Sequence, residues 1–92
     1  MELQFSWDPK KAADNVRKHG ISFAEALTAF ADPLSVTVLD PDHSAREERS
    51  LLVGLSERRR LLVVAHAEKG TQIRIINARP ATRAERETYE ED

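Results

Sequence analysis

Two apolar runs joined by a tight connection constrain the fold of this 92-residue chain more than any other feature. The runs cover 61–67 and 72–78, with Lys69 and Gly70 between them. They hold most of the leucine and β-branched residues, so we predict a hairpin at the centre of a sheet. Arg74 interrupts the second run, and an arginine in an apolar strand must be paired, exposed or facing an anion. This hairpin is therefore the first place to look for function.

Length and composition exclude several classes of protein. A chain of 92 residues predicts a single domain, 1–92, with one thin core of helices packed on a sheet. The absence of cysteine excludes disulfides and thiolate chemistry. No secretion signal is visible, and no apolar stretch approaches the roughly 20 residues of a membrane span. We therefore expect a cytoplasmic protein without a membrane partner.

The net charge of −2 conceals a segregated pattern. Residues 1–48 hold five Lys or Arg against nine Asp or Glu, 49–83 hold eight against two, and 84–92 hold one against five. We call 49–83 the basic block. It either forms one anion-binding surface or consists partly of solvated positions, such as Arg58, Arg59 and Arg60 in a predicted turn.

The N-terminal part predicts a short strand and a helix. Phe5 and Trp7 mark the strand, and the helix covers 9–19, with Asp8 as its N-cap and Gly20 in the left-handed position after its end. The predicted buried stripe of this helix is Ala12, Ala13 and Val16.

The rest of the chain predicts a second helix, four strands and a short last helix. Both later helices begin with the spacing of a capping box, Ser22 with Glu25 and Thr82 with Glu85. The predicted ranges are 22–32 for the second helix, 35–39, 51–55, 61–67 and 72–78 for the strands, and 83–90 for the last helix. Because short turns make adjacent strands antiparallel, we predict an α+β fold with a curved antiparallel sheet, two N-terminal helices on one face and a short C-terminal helix. The other face is expected to be open to a ligand.

Most enzyme motifs are missing. The chain has no nucleophile motif, phosphate-binding glycine loop or paired zinc-binding dipeptide. Asp40, Asp42 and His43 suggest a metal site only weakly, because no further ligand follows at fixed spacing, and we predict no metal and no cofactor. The remaining arginine, His, Glu and Tyr residues suit cleavage of RNA by its own 2′-hydroxyl.

Short segments along the chain carry a family resemblance. They are Phe5-x-Trp7-Asp8, Lys18-His19-Gly20-Ile21-Ser22-Phe23-x-Glu25-Ala26, Asp32-Pro33, Glu48-Arg49 and Arg74-Ile75-Ile76-x-Ala78-Arg79, with Glu85 and Tyr89. In order and spacing they resemble the BrnT family of bacterial type II toxins, along nearly the whole chain. Asn77 stands where serine is expected in many relatives.

The resemblance implies a fold, an activity and a partner. It implies a RelE-like fold and a metal-independent endoribonuclease that cleaves RNA and inhibits growth. The expected partner is a BrnA-like antitoxin with a ribbon-helix-helix DNA-binding part, and the toxin would meet operator DNA only through it.

The candidate catalytic residues are Arg74, Arg79, His66, Glu48, Arg49 and Tyr89, and the candidate RNA-binding residues are Lys18, His19 and Arg83. Arg74 and Arg79 are assigned to the scissile phosphate, because a guanidinium fork matches phosphate oxygens. Arg49 and Arg83 are expected to assist.

Proton transfer has several candidates and no single choice: His66, Glu48, Lys18, His19 and Tyr89. Because His66 ends an apolar strand, a structural role with its ring nitrogens satisfied is as common for such a histidine as a catalytic one. Lys18 and His19 could instead complement the dipole of the first helix. Strand alternation puts Arg74 and Arg79 on opposite faces unless a bulge intervenes, and one of them would then pair with Glu48 or Glu85.

Two other functions stay open. One is a nonenzymatic module whose basic block holds RNA, DNA or an acidic partner protein. The other is a structural subunit whose arginines only pair with its carboxylates. For the toxin, we expect the antitoxin to cover the basic block with an acidic or apolar segment.

Overall fold

The computed structural model of the chain describes residues 2–40 and 47–91. Asp42 and His43, considered above for a metal site, lie outside these ranges. Within the ranges, no group of three His, Cys, Asp or Glu side chains is placed to hold a metal. None of the helices described there is long and apolar enough to span a bilayer.

The elements follow the predicted order. They are β1 (Gln4–Ser6), α1 (Pro9–His19), α2 (Phe23–Thr28), a 3₁₀ turn (Ala29–Ala31), β2 (Val36–Leu39), β3 (Arg49–Leu55), β4 (Leu61–Lys69), β5 (Gln72–Pro80) and α3 (Arg83–Glu90). The first and last helices have the predicted bounds. The second helix is shorter than predicted because its last residues form the 3₁₀ turn, and both hairpin strands are two residues longer than predicted.

The five strands form one mixed sheet in the order β1-β5-β4-β3-β2. The strands from β2 to β5 are antiparallel to their neighbours, as predicted, but β1 runs parallel to β5 and pairs Phe5 with Ile73. The prediction of an entirely antiparallel sheet is therefore wrong at this edge. No short turn joins β1 to β5, so nothing local in the sequence sets their relative direction.

The main core lies between the sheet and α2. Its buried residues are Ile21, Phe23, Ala26, Ala29, Leu52, Leu62, Val64, Ile75 and Ala78. We call this side of the sheet the helix face. Gly54 of β3 is required there, because a Cβ at this position would lie 2.8 Å from the carbonyl oxygen of Ala29.

Helix α1 is fixed beside β5 by a buried asparagine that sequence reasoning missed. The Asn15 amide donates 2.8 Å hydrogen bonds to the carbonyl oxygens of Ile21 and Ala78, and its oxygen accepts a 3.0 Å bond from the Ala78 N–H. The predicted stripe is wrong in part, since Ala13 and Val16 are exposed. Asn15 is buried in their place because it satisfies backbone groups of β5 that β1 is too short to pair.

A buried carboxylate holds the turn between β3 and β4. Ser22 caps α2 through the Glu25 N–H, but the Glu25 side chain does not complete the capping box. It accepts hydrogen bonds from Ser56 Oγ at 2.7 Å and Arg60 Nε at 2.9 Å. The Arg60 hydrogen bond is the main cause that lowers the pKa of Glu25. Arg60 of the basic block is thereby part of the fold.

Helix α3 is fastened at both ends. A complete capping box forms between Thr82 and Glu85, and Glu85 also binds Arg79 of β5. Near the other end, the Tyr89 hydroxyl donates to the Asp32 carboxylate at 2.5 Å. That carboxylate also accepts from the backbone of β3, so the helix crosses from β5 towards β3.

Candidate active site on the arginine face

A β-bulge in β5 decides where the arginines of this strand point. The register shifts between Ala65 and His66 of β4, which leaves Ile76 as an extra residue on β5. Strict alternation would place Arg74 and Arg79 on opposite faces, but the extra residue returns both to one face. That face is opposite the helix face.

We call the second side of the sheet the arginine face. Its side chains on the central strands include Arg49, Leu51, Ala65, Ala67, Arg74, Asn77 and Arg79. Arg49 and Arg74 flank Ala67 in one row across three strands. Arg79 pairs with Val63, four residues along β4 from Ala67, which is about 13 Å in an extended strand.

Glu47 joins the two arginines of that row. Its carboxylate accepts a hydrogen bond from Arg74 Nη2 and lies 3.5 Å from Arg49 Nε. The Arg74 hydrogen bond is the main cause that lowers the pKa of Glu47. Sequence reasoning chose the neighbouring residue, Glu48. Glu48 is exposed, and because side chains alternate along a strand it does not share the face of Arg49. Alternation back from Arg49 would have pointed to Glu47.

Arg79 is held by Glu85, but its hydrogen bonds occupy only part of its guanidinium. Its Nη1 and Nη2 each donate a 2.7 Å bond to Glu85, and Nη1 also donates to the Pro80 carbonyl oxygen at 3.3 Å. A guanidinium has five N–H donors, so the Nε–H and one Nη2–H find no acceptor among the described residues and are available to a ligand. The bond to Arg79 is the main cause that lowers the pKa of Glu85 to about 2. The sequence left either Glu48 or Glu85 as the partner of one of these arginines. In the structure, Arg79 pairs with Glu85.

Two cavities of about 330 and 350 Å³ meet at Ile76, Asn77 and Arg79. We call them together the groove. The first is also lined by Lys11, Asp14, Asn15, Lys18 and His19, and the second by Asp40, Arg49, Leu51 and Ala65. The Asn15 bonds to β5 bring the end of α1 to this place, so Lys18 and His19 line the same groove as Arg79 and Arg49. Sequence reasoning missed Lys11 and considered Asp40 only for a metal site, because no local pattern links either residue to the sheet.

His66 does not belong to this site. Its side chain is fully buried on the helix face, and its ring centroid lies 4.9 Å from that of Phe30. Its Nδ1 lies 3.1 Å from the Val64 carbonyl oxygen, and its Nε2 lies 3.1 Å from Glu68 Oε1. Of the two roles left open for His66, proton transfer and a structural role, its full burial away from the groove favours the structural one. It is a core histidine with both nitrogens engaged.

Tyr89 and Arg83 also lie apart from the groove lining. The hydrogen bond to Asp32 is the main cause that raises the pKa of Tyr89 to about 12. A hydroxyl held in this way anchors α3 and is a poor proton donor, so its assignment as a catalytic residue is not supported. Arg83 is exposed in the first turn of α3.

Comparison with known proteins assigns the family. An α+β domain with a groove lined by cations is typical of a protein that binds a polyanion. The profile described as "Ribonuclease toxin, BrnT, of type II toxin-antitoxin system" matches residues 7–85. The chain belongs to this family of ribonuclease toxins, which implies an RNA substrate and an antitoxin partner.

One solved structure supports the fold. The crystal structure of the Brucella abortus ribonuclease toxin BrnT matches with a TM-score of 0.64 and 20% sequence identity, covering 88% of this chain and 99% of that one. At this identity the likeness shows the α+β fold alone, and the RelE-like description stays a prediction. A search of curated protein sequences found no match.

Proposed function

We propose that this toxin is a metal-independent endoribonuclease that cuts single-stranded RNA in the groove. The observation that carries the proposal is the convergence of Lys18, His19, Arg49 and Arg79 on adjoining cavities. Cations of fixed charge can stabilise the extra negative charge on a phosphate as the 2′-hydroxyl attacks it. The expected place of action is the cytoplasm.

Arg79 is proposed to bind the scissile phosphate. Glu85 orients its guanidinium through two hydrogen bonds, and the Nε–H and Nη2–H left over form the second edge of the fork. Arg74 is too far along the sheet to share this phosphate without large side-chain movement. We assign it, with Arg49, to a neighbouring phosphate of the same strand. On this assignment Arg79 takes part in the chemistry, and Arg74 contributes to RNA binding.

His19 is proposed as the general base. Of the five candidates for proton transfer, His66 lies on the other face, Tyr89 is held by Asp32, and Glu48 is out of phase with the arginine face. Imidazole is the side chain that most often exchanges protons near neutral pH. His19 lines the groove beside Lys18, whose ammonium would support the phosphate charge.

The antitoxin is proposed to be a BrnA-like protein with a ribbon-helix-helix part that covers the groove. The cations that would bind RNA phosphates would also attract the carboxylates of an acidic antitoxin segment. Operator DNA would then be contacted by the antitoxin part of the complex.

The test is cleavage of a labelled single-stranded RNA by purified toxin in EDTA. We expect cutting with 2′,3′-cyclic phosphate ends, no cutting of DNA of the same sequence, and loss of cutting in His19→Ala. Val16→Ala is a matched control, since Val16 is an exposed residue of the same helix that lines neither cavity. Loss of activity in EDTA with rescue by magnesium would reject metal independence. RNA binding without cutting in either buffer would favour a nonenzymatic module.

A further inference from the structure

Two asparagines line the groove, and their hydrogen bonds differ. Asn15 is buried, and both ends of its amide are used by the backbone of Ile21 and Ala78. The Asn77 side chain is exposed on the arginine face and makes no hydrogen bond with the residues that the structure describes. Asn15 holds the fold together, whereas Asn77 presents a free donor and a free acceptor where the two cavities meet.

The second cavity has an apolar floor beside this amide. Leu51 and Ala65 line it from β3 and β4, and Ile76, the bulge residue, lines it from β5. Ala65 and Ile76 keep only 7% and 8% of their surface exposed, so the floor is recessed. The volume of the second cavity, about 350 Å³, lies within the roughly 300–1,000 Å³ typical of pockets for small organic groups.

The chemistry of the lining matches a flat group with apolar faces and a polar edge. The cations of the groove suit phosphates, which are the same in every nucleotide and carry no sequence information. An apolar floor next to a neutral amide suits a base, whose ring packs on the floor while its edge forms hydrogen bonds. Asp40 and Arg49 also line this cavity.

We propose that the cavity floored by Leu51, Ala65 and Ile76 binds one unstacked nucleobase of the RNA, and that Asn77 reads the edge of that base. Asn77 is then a specificity-determining residue, and the cations around it set the rate of cutting without regard to sequence. The bulge connects the two roles, because it turns Asn77 and Arg79 to the face that also carries Arg74. This inference rests on the proposed function.

The experiment uses a randomised single-stranded RNA pool, cut by the toxin and sequenced at the new ends. The wild type is expected to favour one base at a fixed position beside the cut. Asn77→Ala should reduce that preference by about tenfold, the order of discrimination from a lost pair of base hydrogen bonds. Lys11→Ala should slow the cutting of all sequences alike and leave the preference unchanged.

Gln4→Ala is the matched control, since Gln4 is an exposed amide on β1 that lines neither cavity. It should match the wild type in rate and preference. Thermal melting of Asn77→Ala should equal that of the wild type, and Asn77→Ser provides a second variant if it does not. An unchanged base preference in both Asn77 variants would overturn the proposal, as would a wild type that cuts without any preference.

A separate measurement distinguishes this inference from the proposed function. If the wild type cuts no RNA, the proposed function fails, and fluorescence anisotropy with labelled oligo-A, oligo-C and oligo-U then tests the base site alone. Affinities that depend on the base in the wild type and are equal in Asn77→Ala would support the site. Affinities with the same ranking in both proteins would overturn it.

Discussion

Arg60 and Arg74 both belong to the basic block and both bind a glutamate, but in different surroundings. The Arg60 partner, Glu25, has a side chain only 4% exposed and also binds Ser56. The Arg74 partner, Glu47, is 40% exposed on the arginine face. A buried carboxylate that loses its partner is costly, whereas an exposed ion pair contributes little to folding. The same kind of pair therefore supports the fold in one place and leaves an arginine available to a ligand in the other.

The third pair, Arg79 with Glu85, lies between these extremes. Both side chains are about one third exposed, and the pair both fastens α3 and orients a guanidinium towards the groove. The charge count of the basic block thus overstates its free anion-binding capacity. The surroundings of each guanidinium decide its role.

The largest expected effect is on catalysis, in Arg79→Ala. We expect the rate of RNA cleavage to fall by about 10²–10³, the usual loss when one donor to a developing oxyanion is removed. Because Arg79 also anchors α3, the control is Glu85→Gln, which weakens the same anchor but keeps the guanidinium. A steady-state cleavage assay should show a much smaller loss in Glu85→Gln, and equal losses would assign Arg79 to the anchoring of α3 alone.

The next effect is on stability, in Glu25→Ala. Removing the buried carboxylate leaves Ser56 and Arg60 without their acceptor and should lower the free energy of unfolding by about 3 kcal/mol. Glu47→Ala, the matched change on the arginine face, should leave the free energy of unfolding close to that of the wild type, because its ion pair is exposed to solvent. Urea unfolding of both variants measures the difference, and similar losses in the two would remove the distinction between the pairs.

A smaller effect concerns the pH dependence of α3 docking. The pKa of Glu85 is lowered from 4.5 to about 2, so its contribution to stability is complete above pH 4.5 and is lost as the pH falls towards 2. The pKa of Tyr89 is raised from 10.0 to about 12, so its contribution is complete below pH 10 and is lost as the pH rises towards 12. Stability from these groups should be greatest between these limits.

Two conservative variants separate the two ends of the helix. Glu85→Gln should reduce the loss of stability at acid pH, and Tyr89→Phe should reduce the loss at alkaline pH. Urea unfolding at pH 3, 7 and 11 compares them with the wild type. A variant whose pH dependence equals that of the wild type would show that its group does not control docking.

Features set by local residues were predictable from the sequence. Asp8, Pro9 and Gly20 set the bounds of α1, and the capping box of Thr82 and Glu85 sets the start of α3. These signals were readable because caps act over only a few residues. The hairpin strands were recognised from their composition. The family motifs include Lys18 and His19, which line the groove.

Features set by distant contacts were not predictable. The residues of β4 from Leu61 to His66 are all buried, so their pattern has no alternation to show which way His66 points. The bulge at Ile76 depends on pairing with β4, and the role of Asn15 depends on a strand 63 residues away. Glu47 was missed because the motif drew attention to its neighbour.

The most direct test of the account compares Arg74→Ala with Arg60→Ala in two assays, RNA cleavage at 20 °C and thermal unfolding. Arg74→Ala should lose about tenfold in cleavage, from one lost phosphate contact, with little change in the melting temperature. Arg60→Ala should keep its cleavage rate and melt about 10 °C lower, because Glu25 loses its partner. The opposite pattern, with cleavage lost in Arg60→Ala and stability lost in Arg74→Ala, would contradict the division of the basic block between fold and site.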